Sequence, residues 1–271
     1  LLALVLARRF SAVIAKPIRD LEATTEKVAS GDLAARASTE GPAELANVAR
    51  EFNRMLEVRE RADTELRDLN RTLTVLSSCN EALVRASAEQ ELLDKMCRIL
   101  VEQGGHALAW IGYAEDDGAR RVRPAARFGA TGYLDALEVS WGDDELGRGP
   151  TGTAVRTGRP VSVRDTLIDA SFQPWRAGAE AFGFRSTIAL PLGSDRPAFG
   201  ALSIYSRIPG SFHEAEIRLL VELANDVSYG IQSLRAEVHI KNLNRIYAVL
   251  SGINALIVRV RERDELFREA C

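Results

Sequence analysis

Apolar side chains recur every three or four residues over a long early stretch of the chain. Leu45, Val48, Phe52 and Met55 begin this stripe, and neither proline nor glycine interrupts residues 44–86. Such spacing is typical of an amphipathic helix that packs against another helix, as in a coiled coil. A helix of this length cannot bury its stripe alone. We therefore predict one long helix with a parallel partner helix.

A later stretch, residues 213–245, also follows a helical period and contains one glycine. Between the two long helices, short apolar runs predict strands, and Gly193–Ala198 between the last two runs predicts a hairpin. A loop that contains Trp175 is expected before this hairpin. Strands enclosed by helices are typical of an α+β domain built on an antiparallel sheet. The predicted strands are 107–113, 121–128, 136–141, 160–163, 187–192 and 199–205, and the predicted shorter helices are 17–30, 91–103 and 147–158.

The composition is that of a folded protein rather than a disordered one. The 271 residues are 46% hydrophobic and 27% charged, with a net charge of −3, so we expect no nucleic-acid partner. The four lysines follow no glycine, which excludes a Walker-type phosphate loop. Three scattered cysteines favour neither a disulfide framework nor a zinc site. We find no metal-ligand cluster and assign no catalytic residues, so whether the parent protein is an enzyme stays open.

The beginning of the sequence is strongly apolar. Residues 1–7 are all apolar and are followed by Arg8 and Arg9. This pattern predicts the last turns of a membrane-spanning helix that ends at basic residues on the cytoplasmic side. The alternative is the start of an ordinary apolar helix. The first interpretation places the region on the cytoplasmic side of an inner membrane.

The sequence contains an internal repeat. Residues 69–97 and 243–271 share 12 of 29 positions, including Leu-Asn-Arg at the start and a cysteine at the end. The spacing between the copies is that of a whole domain rather than of a solenoid repeat. We therefore expect one complete domain and the opening helix of a second copy.

The N-terminal motifs resemble the HAMP linker of bacterial transmembrane receptors. They are Pro17, Gly31-Asp32-Leu33, Glu44, and Phe52 with Met55 in Phe-Asn-x-Met. Of the family's usual Asp-Glu-x-Gly, only the glutamate is kept. The resemblance implies a parallel dimer with two short helices per chain, in which Pro17, Glu44, Phe52 and Met55 take part in signalling.

Residues 75–235 resemble a GAF domain. The motifs are a glycine-rich run over 147–161, Gly-Phe-Arg-Ser at 183–186 and Ala-Leu-Pro-Leu at 189–192. The spacing G-x-G-x-x-G also occurs in dinucleotide sites, but here it does not follow a strand within a βαβ unit. We interpret it as a tight turn before a short helix. The repeat at 243–271 then resembles the start of a second GAF domain.

The GAF resemblance implies a small-molecule site between the sheet and its loops. Cyclic nucleotides are not expected, because the Asn-Lys pair that accompanies their binding in the family is missing. Bilins would need a cysteine in the middle of the domain and haem would need a pocket histidine, and neither is found. The ligand is unknown. The alternative is that the candidate residues are core aromatics and surface arginines. The candidates are Trp110, Tyr113, Arg127, Trp141, Trp175, Arg185 and Tyr205.

These observations predict the relay and small-molecule-sensing region of a membrane-bound bacterial sensor that forms a parallel homodimer. The repeated Leu-Asn-Arg-x-x-x-Val-Leu-Ser start resembles sensors with GGDEF and EAL output domains, which control cyclic di-GMP turnover. The alternatives are the input region of a sensor histidine kinase and a non-catalytic dimerisation scaffold. The predicted segments are the end of a transmembrane helix (1–16), HAMP (17–65), a signalling helix (66–86), GAF (87–235), and a linker helix with the start of a second GAF domain (236–271).

Overall fold

The computed structural model describes residues 14–32 and 34–259, without the side chains of residues 68 and 255–259. The chain divides into two compact units between Asn70 and Arg71. The apolar run at the start of the sequence, its two arginines and the last part of the repeat lie outside the described residues. Among the described helices, none is both long and apolar enough to cross a membrane.

The described part of the first unit consists of two helices and an extended connector. Helix α1 (Lys16–Ala29) has Pro17 in its first turn, where the missing N–H of proline leaves no hydrogen bond unmade. Its end is followed by Gly31 with φ +104°, a conformation that glycine adopts without strain. Helix α2 (Ala43–Arg85) begins in this unit, and its bounds agree closely with the long helix expected from the sequence.

The connector is fixed to α2 by a pair of hydrogen bonds. The backbone N–H of Ala37 donates to Asn53 Oδ1 at 2.8 Å, and Asn53 Nδ2 donates to the Ala37 carbonyl at 2.9 Å. Beside this pair, Arg36 forms a 2.7 Å ion pair with Glu60. The asparagine of the Phe-Asn-x-Met motif therefore holds the connector in place.

The four residues expected to act in HAMP signalling lie on both helices of this unit. Phe52 and Pro17 are half-buried, whereas Glu44 is exposed in the first turn of α2. Met55 and Val48 are both more than half exposed. The apolar stripe of α2 is thus only partly covered within one chain.

The second unit is an α+β domain, as predicted. It contains the end of α2, a sheet of five strands and several shorter helices. In chain order the elements are α3 (Glu89–Glu102), β1 (Leu108–Ala114), β2 (Val122–Gly129), a 3-10 helix (Thr131–Ala136), α4 (Pro150–Thr157), β3 (Val161–Val163), a second 3-10 helix (Ala170–Trp175), α5 (Arg176–Ala181), β4 (Ser186–Leu192), β5 (Gly200–Ser206) and α6 (Glu214–Arg259).

The sheet has the strand order β2-β1-β5-β4-β3, and every neighbouring pair is antiparallel. Strands β4 and β5 form the expected hairpin. The register of β1 against β2 shifts between Ile111 and Gly112, which marks a bulge. Strands β2 and β3 are the two edges, and Pro124 in β2 removes one N–H from an edge.

Two local predictions are wrong. The expected strand at 136–141 makes a single bridge to the sheet edge, Arg121 to Ser140, and is not a regular strand. The Val122 N–H donates to the Val139 carbonyl at this bridge, while the partly buried apolar side chains of the segment pack on one face of the sheet. The loop expected around Trp175 is instead the second 3-10 helix followed by α5. Asp169 begins that turn by accepting a hydrogen bond from the Ser171 N–H at 2.9 Å.

Helices cover one face of the sheet. The end of α2, together with α3 and α6, packs against strand side chains such as Ile111, Ile188 and Leu202. Cys79 and Cys97 are both buried in this cluster. Burial raises the pKa of Cys79 to about 12 and also raises that of Cys97, so both thiols stay protonated at neutral pH.

The glycine-rich run is a close-packed turn, as we interpreted it. A Cβ atom on Gly147 or Gly152 would collide with the carbonyl oxygens of Gly142 and Ser140 respectively. Arg156 Nη1 donates to the carbonyls of Gly142 at 2.7 Å and Gly147 at 2.9 Å. These glycines therefore allow two backbone segments to meet, and an arginine of α4 fixes them together.

Replacing Gly152 with alanine is expected to destabilise the domain by about 1 to 3 kcal/mol, because backbone atoms cannot move away as a flexible side chain would. Urea unfolding followed by circular dichroism measures the effect. Gly118→Ala is the matched control, since a Cβ there meets nothing within 4 Å. Equal stabilities for the two variants would contradict the close approach.

His106 precedes β1 and stacks on Phe212, with ring centroids 5.6 Å apart. Burial, reinforced by Arg71, lowers its pKa from 6.5 to about 4. The unfolded chain therefore binds a proton between these values while the folded chain does not. Stability associated with His106 is present above pH 6.5 and is lost as the pH falls towards 4.

The variant His106→Gln should lose less stability than the wild type between pH 6.5 and 4.5. We expect the difference between the two losses to be roughly 1 to 2 kcal/mol. Urea unfolding at several pH values provides the measurement, and carboxylate titration affects both proteins alike. Parallel stability curves would show that His106 does not remain neutral in the folded domain.

Candidate ligand-binding site

The face of the sheet opposite the helical cluster is covered by aromatic side chains. Trp110 projects from β1 and Tyr205 from β5, while Tyr133 and Phe184 come from the segments that cover them. The ring centroids of Tyr133 and Tyr205 are 5.4 Å apart, and those of Phe184 and Tyr205 are 5.0 Å apart. We call the residues of this cluster the aromatic layer: Trp110, Tyr133, Phe172, Trp175, Phe184 and Tyr205.

Two buried polar atoms of the aromatic layer have no hydrogen-bond partner, Trp110 Nε1 and Tyr133 Oη. Both side chains are at least 95% buried. The Tyr205 hydroxyl lies near them. Burial raises the pKa of Tyr205 to about 12, although its polar neighbours Trp110, Tyr133 and Thr187 each lower that pKa. Neither Trp110 Nε1 nor the Tyr133 hydroxyl has the geometry of a hydrogen bond to the Tyr205 hydroxyl. Such unpaired groups cost about 1 to 3 kcal/mol each unless an acceptor is supplied.

A second polar feature lies beside these atoms. Ser203 is directly opposite Trp110 in the β1–β5 register. Its hydroxyl is 2.9 Å from that of Thr151 on α4, and both groups are buried. The centre of this face therefore combines aromatic rings with small hydroxyl groups.

A cleft of about 640 Å³ borders the aromatic layer at the edge strand β2. Its apolar wall includes Leu137, Val139 and Leu146, which also pack against the aromatic layer. Two indole N–H groups fix the segment 137–141 in its position. Trp141 Nε1 donates to the Glu115 carbonyl, and Trp175 Nε1 donates to the Glu138 carbonyl, both at 2.9 Å. The cleft has the size of a small-molecule pocket.

The structure brings together four of the seven residues that the sequence suggested. Trp110, Trp175 and Tyr205 belong to the aromatic layer, and Trp141 is half-buried against it. These four aromatic candidates thus share one face of the sheet.

The other three candidates lie elsewhere. Tyr113 packs on the helical cluster, because it is three residues after Trp110 and a strand alternates its side chains between faces. Arg127 is exposed and forms a 3.0 Å ion pair with Asp135. Arg185 forms a 2.7 Å ion pair with Asp165 and lowers the pKa of that carboxyl.

Three members of the aromatic layer were not among the candidates from the sequence: Tyr133, Phe172 and Phe184. Phe184 stands in the Gly-Phe-Arg-Ser motif, so its place was marked although its side chain was not chosen. Tyr133 is followed by another apolar residue in a short polar segment, which is a weak signal. Within the described ranges, no group of histidine, cysteine and acidic residues could hold a metal ion.

Solved structures share this fold. Free methionine-R-sulfoxide reductase from Neisseria meningitidis is 23% identical, with a TM-score of 0.52, covering 61% of this chain and 91% of that one. The GAF domain of a phosphoenolpyruvate-protein phosphotransferase from Coxiella burnetii is 17% identical, with a TM-score of 0.51, covering 62% and 97%. At these identities the likeness shows the fold alone. A search of curated proteins gave no match.

Family profiles match both parts of the sequence. The HAMP domain profile matches residues 9–58 and the GAF domain profile matches residues 86–232, which is more than half of the chain. Together the two domains indicate a sensor region for signal transduction. The chain therefore belongs to the GAF domain family, with a HAMP domain preceding its GAF domain.

Proposed function

We propose that the chain is the cytoplasmic relay and sensing region of a membrane-bound bacterial sensor, and that its GAF domain binds a small molecule at the aromatic layer. The observation that carries the proposal is the pair of buried, unpartnered donors, Trp110 Nε1 and Tyr133 Oη. Native proteins satisfy nearly all such groups. A bound acceptor would satisfy both of them within an apolar surrounding.

The chemistry of the aromatic layer selects the class of ligand. Its rings favour an apolar or aromatic body, and its two free donors favour a carbonyl or similar acceptor. The six residues that define it carry no charge, so a compact uncharged molecule fits better than a nucleotide. The neighbouring cleft offers a route from solvent to this face.

The proposed homodimer rests on exposed apolar stripes. On α6 the apolar side chains Leu243, Tyr247 and Leu250 follow a coiled-coil spacing and are at least 40% exposed. On α2, Met55 and Leu66 are more than half exposed. A parallel partner with the same stripes would cover both sets.

The membrane anchor and the output are proposals from sequence patterns. The apolar residues 1–7 followed by two arginines favour an anchor in the inner membrane. The repeated start at residues 243–251 favours a parent that controls cyclic di-GMP turnover, with a sensor histidine kinase or a non-catalytic scaffold as alternatives. A change in cellular cyclic di-GMP on expression of the complete gene product would support the first, and phosphoryl transfer from ATP the second.

Native mass spectrometry of the chain purified from cells tests the ligand proposal. We expect an adduct of small mass that is reduced about tenfold by Trp110→Phe, since that variant keeps the ring but removes the donor. Arg127→Gln is the control, because Arg127 is exposed and does not belong to the aromatic layer. An adduct that Trp110→Phe leaves unchanged, or no adduct from several hosts, would contradict the proposal.

Analytical ultracentrifugation tests the dimer. The wild type should sediment as a dimer, and the double variant Leu243→Lys, Leu250→Lys should shift towards monomer because it places charges in the stripe. The matched control is Asn244→Lys, Ala248→Lys, which adds the same charges to α6 outside the stripe. A strict monomer for the wild type would overturn this part of the proposal.

A further inference from the structure

Three residues from separate elements meet around one carboxylate. Arg235 of α6 donates to both oxygens of Glu89, with Nε and Nη2 each at 2.7 Å. The Tyr113 hydroxyl donates to Glu89 Oε1 at 2.5 Å. The Arg235 guanidinium also lies over the rings of Tyr113 at 4.7 Å and Phe199 at 5.3 Å. We call Glu89, Tyr113 and Arg235 the Glu89 cluster.

The cluster has more contacts than a single ion pair, although the Arg235 side chain is 45% exposed. Arginine contacts the carboxylate through two parallel bonds, which gives the pair a fixed direction. The bonds from Arg235 hold the pKa of Glu89 below its usual range, and burial raises the pKa of Tyr113. Cation–π contacts add to the attraction where solvent is partly excluded.

The position of the cluster in the fold is specific. Glu89 is the first residue of α3, Tyr113 lies near the end of β1, and Arg235 is 146 residues from Glu89 along the chain. Up to Ile231, α6 is packed on the sheet through buried residues. Every described side chain from Arg235 to residue 254 is exposed. Within the described part of α6, Arg235 is the last side chain that donates hydrogen bonds to another element of the domain.

Strand β1 connects this cluster with the aromatic layer. Trp110 and Tyr113 project from opposite faces of β1, and Gly112 lies between them. A Cβ on Gly112 would lie 2.5 Å from the Trp110 ring, so the indole rests directly on the backbone next to Tyr113. One peptide bond joins this glycine to Tyr113.

We propose that Glu89, Tyr113 and Arg235 are positioning residues that couple the aromatic layer to the departing part of α6. The proposal rests on the ligand site proposed above and names its regulation. A ligand that displaces the Trp110 indole shifts the Tyr113 side chain. This shift changes the hydrogen bond from Tyr113 to Glu89, and with it the two hydrogen bonds from Arg235 to Glu89. The helix then leaves the domain in a different arrangement, and a two-state shift of this kind can bias a paired helix beyond it.

Hydrogen exchange of the full ligand-free chain, read by mass spectrometry, tests the coupling. Arg235→Gln and Glu89→Gln should each raise exchange of the amides at 231–239 about tenfold. Arg218→Gln is the matched control, since it breaks an exposed pair with Glu214 on the same helix. Arg235→Lys keeps the charge but loses the two-bond contact, so it should restore only part of the protection.

A double-variant comparison separates coupling from simple stability. Trp110→Phe should change exchange at 231–239 in the wild-type background and have no such effect in the Glu89→Gln background. An equal effect in both backgrounds, or exchange in Arg235→Gln no greater than in Arg218→Gln, would overturn the proposal. Because no ligand is used, failure here is distinct from failure of the ligand proposal, which shows as a missing adduct.

Discussion

A five-stranded antiparallel sheet with two apolar faces is the constraint on which the second unit depends. Each face has to be covered, and the chain uses different means for each. Aliphatic side chains of long helices cover one face, which gives a close-packed support. Loops, short helices and aromatic rings cover the other. The buried polar ring atoms of the candidate site therefore lie on the second face, beside apolar ones.

The support of the second face depends on close backbone contact. Without side chains at Gly147 and Gly152, the segment after Ser140 can approach the start of α4, and Arg156 ties the carbonyls together. This arrangement brings the apolar residues around Val139 onto the aromatic layer. The same segment forms a wall of the cleft. The glycine motif thus shapes the candidate site through backbone packing.

In the proposed function, a change in the arrangement of the long helix α6 transmits ligand binding from the GAF domain to the region beyond it. Buried side chains pack α6 against the domain up to Ile231, and the Glu89 cluster holds the helix at Arg235, ahead of the exposed stripe. In the first unit, Asn53 fixes the connector while Met55 stays exposed. Both units therefore combine a fixed element with an apolar surface that a partner would cover.

The helices and the hairpin could be predicted from local sequence patterns, and the motifs of the two families could be read directly. These are local: apolar period, turn residues and glycine positions act over a few residues. Strand alternation also separates Trp110 from Tyr113, since residues three apart point to opposite faces. A period of two at 136–141 was misleading, because side chains that cover a sheet face alternate much as a strand does.

Which aromatic residues share a site, and which arginines lie outside it, depends on the packing of distant parts of the chain. Arg127 and Arg185 find their carboxylates, Asp135 and Asp165, through the fold. Likewise, Glu89 and Arg235 meet across 146 residues. Contacts between elements distant in sequence depend on how the whole sheet and its helices pack, and no local pattern specifies them.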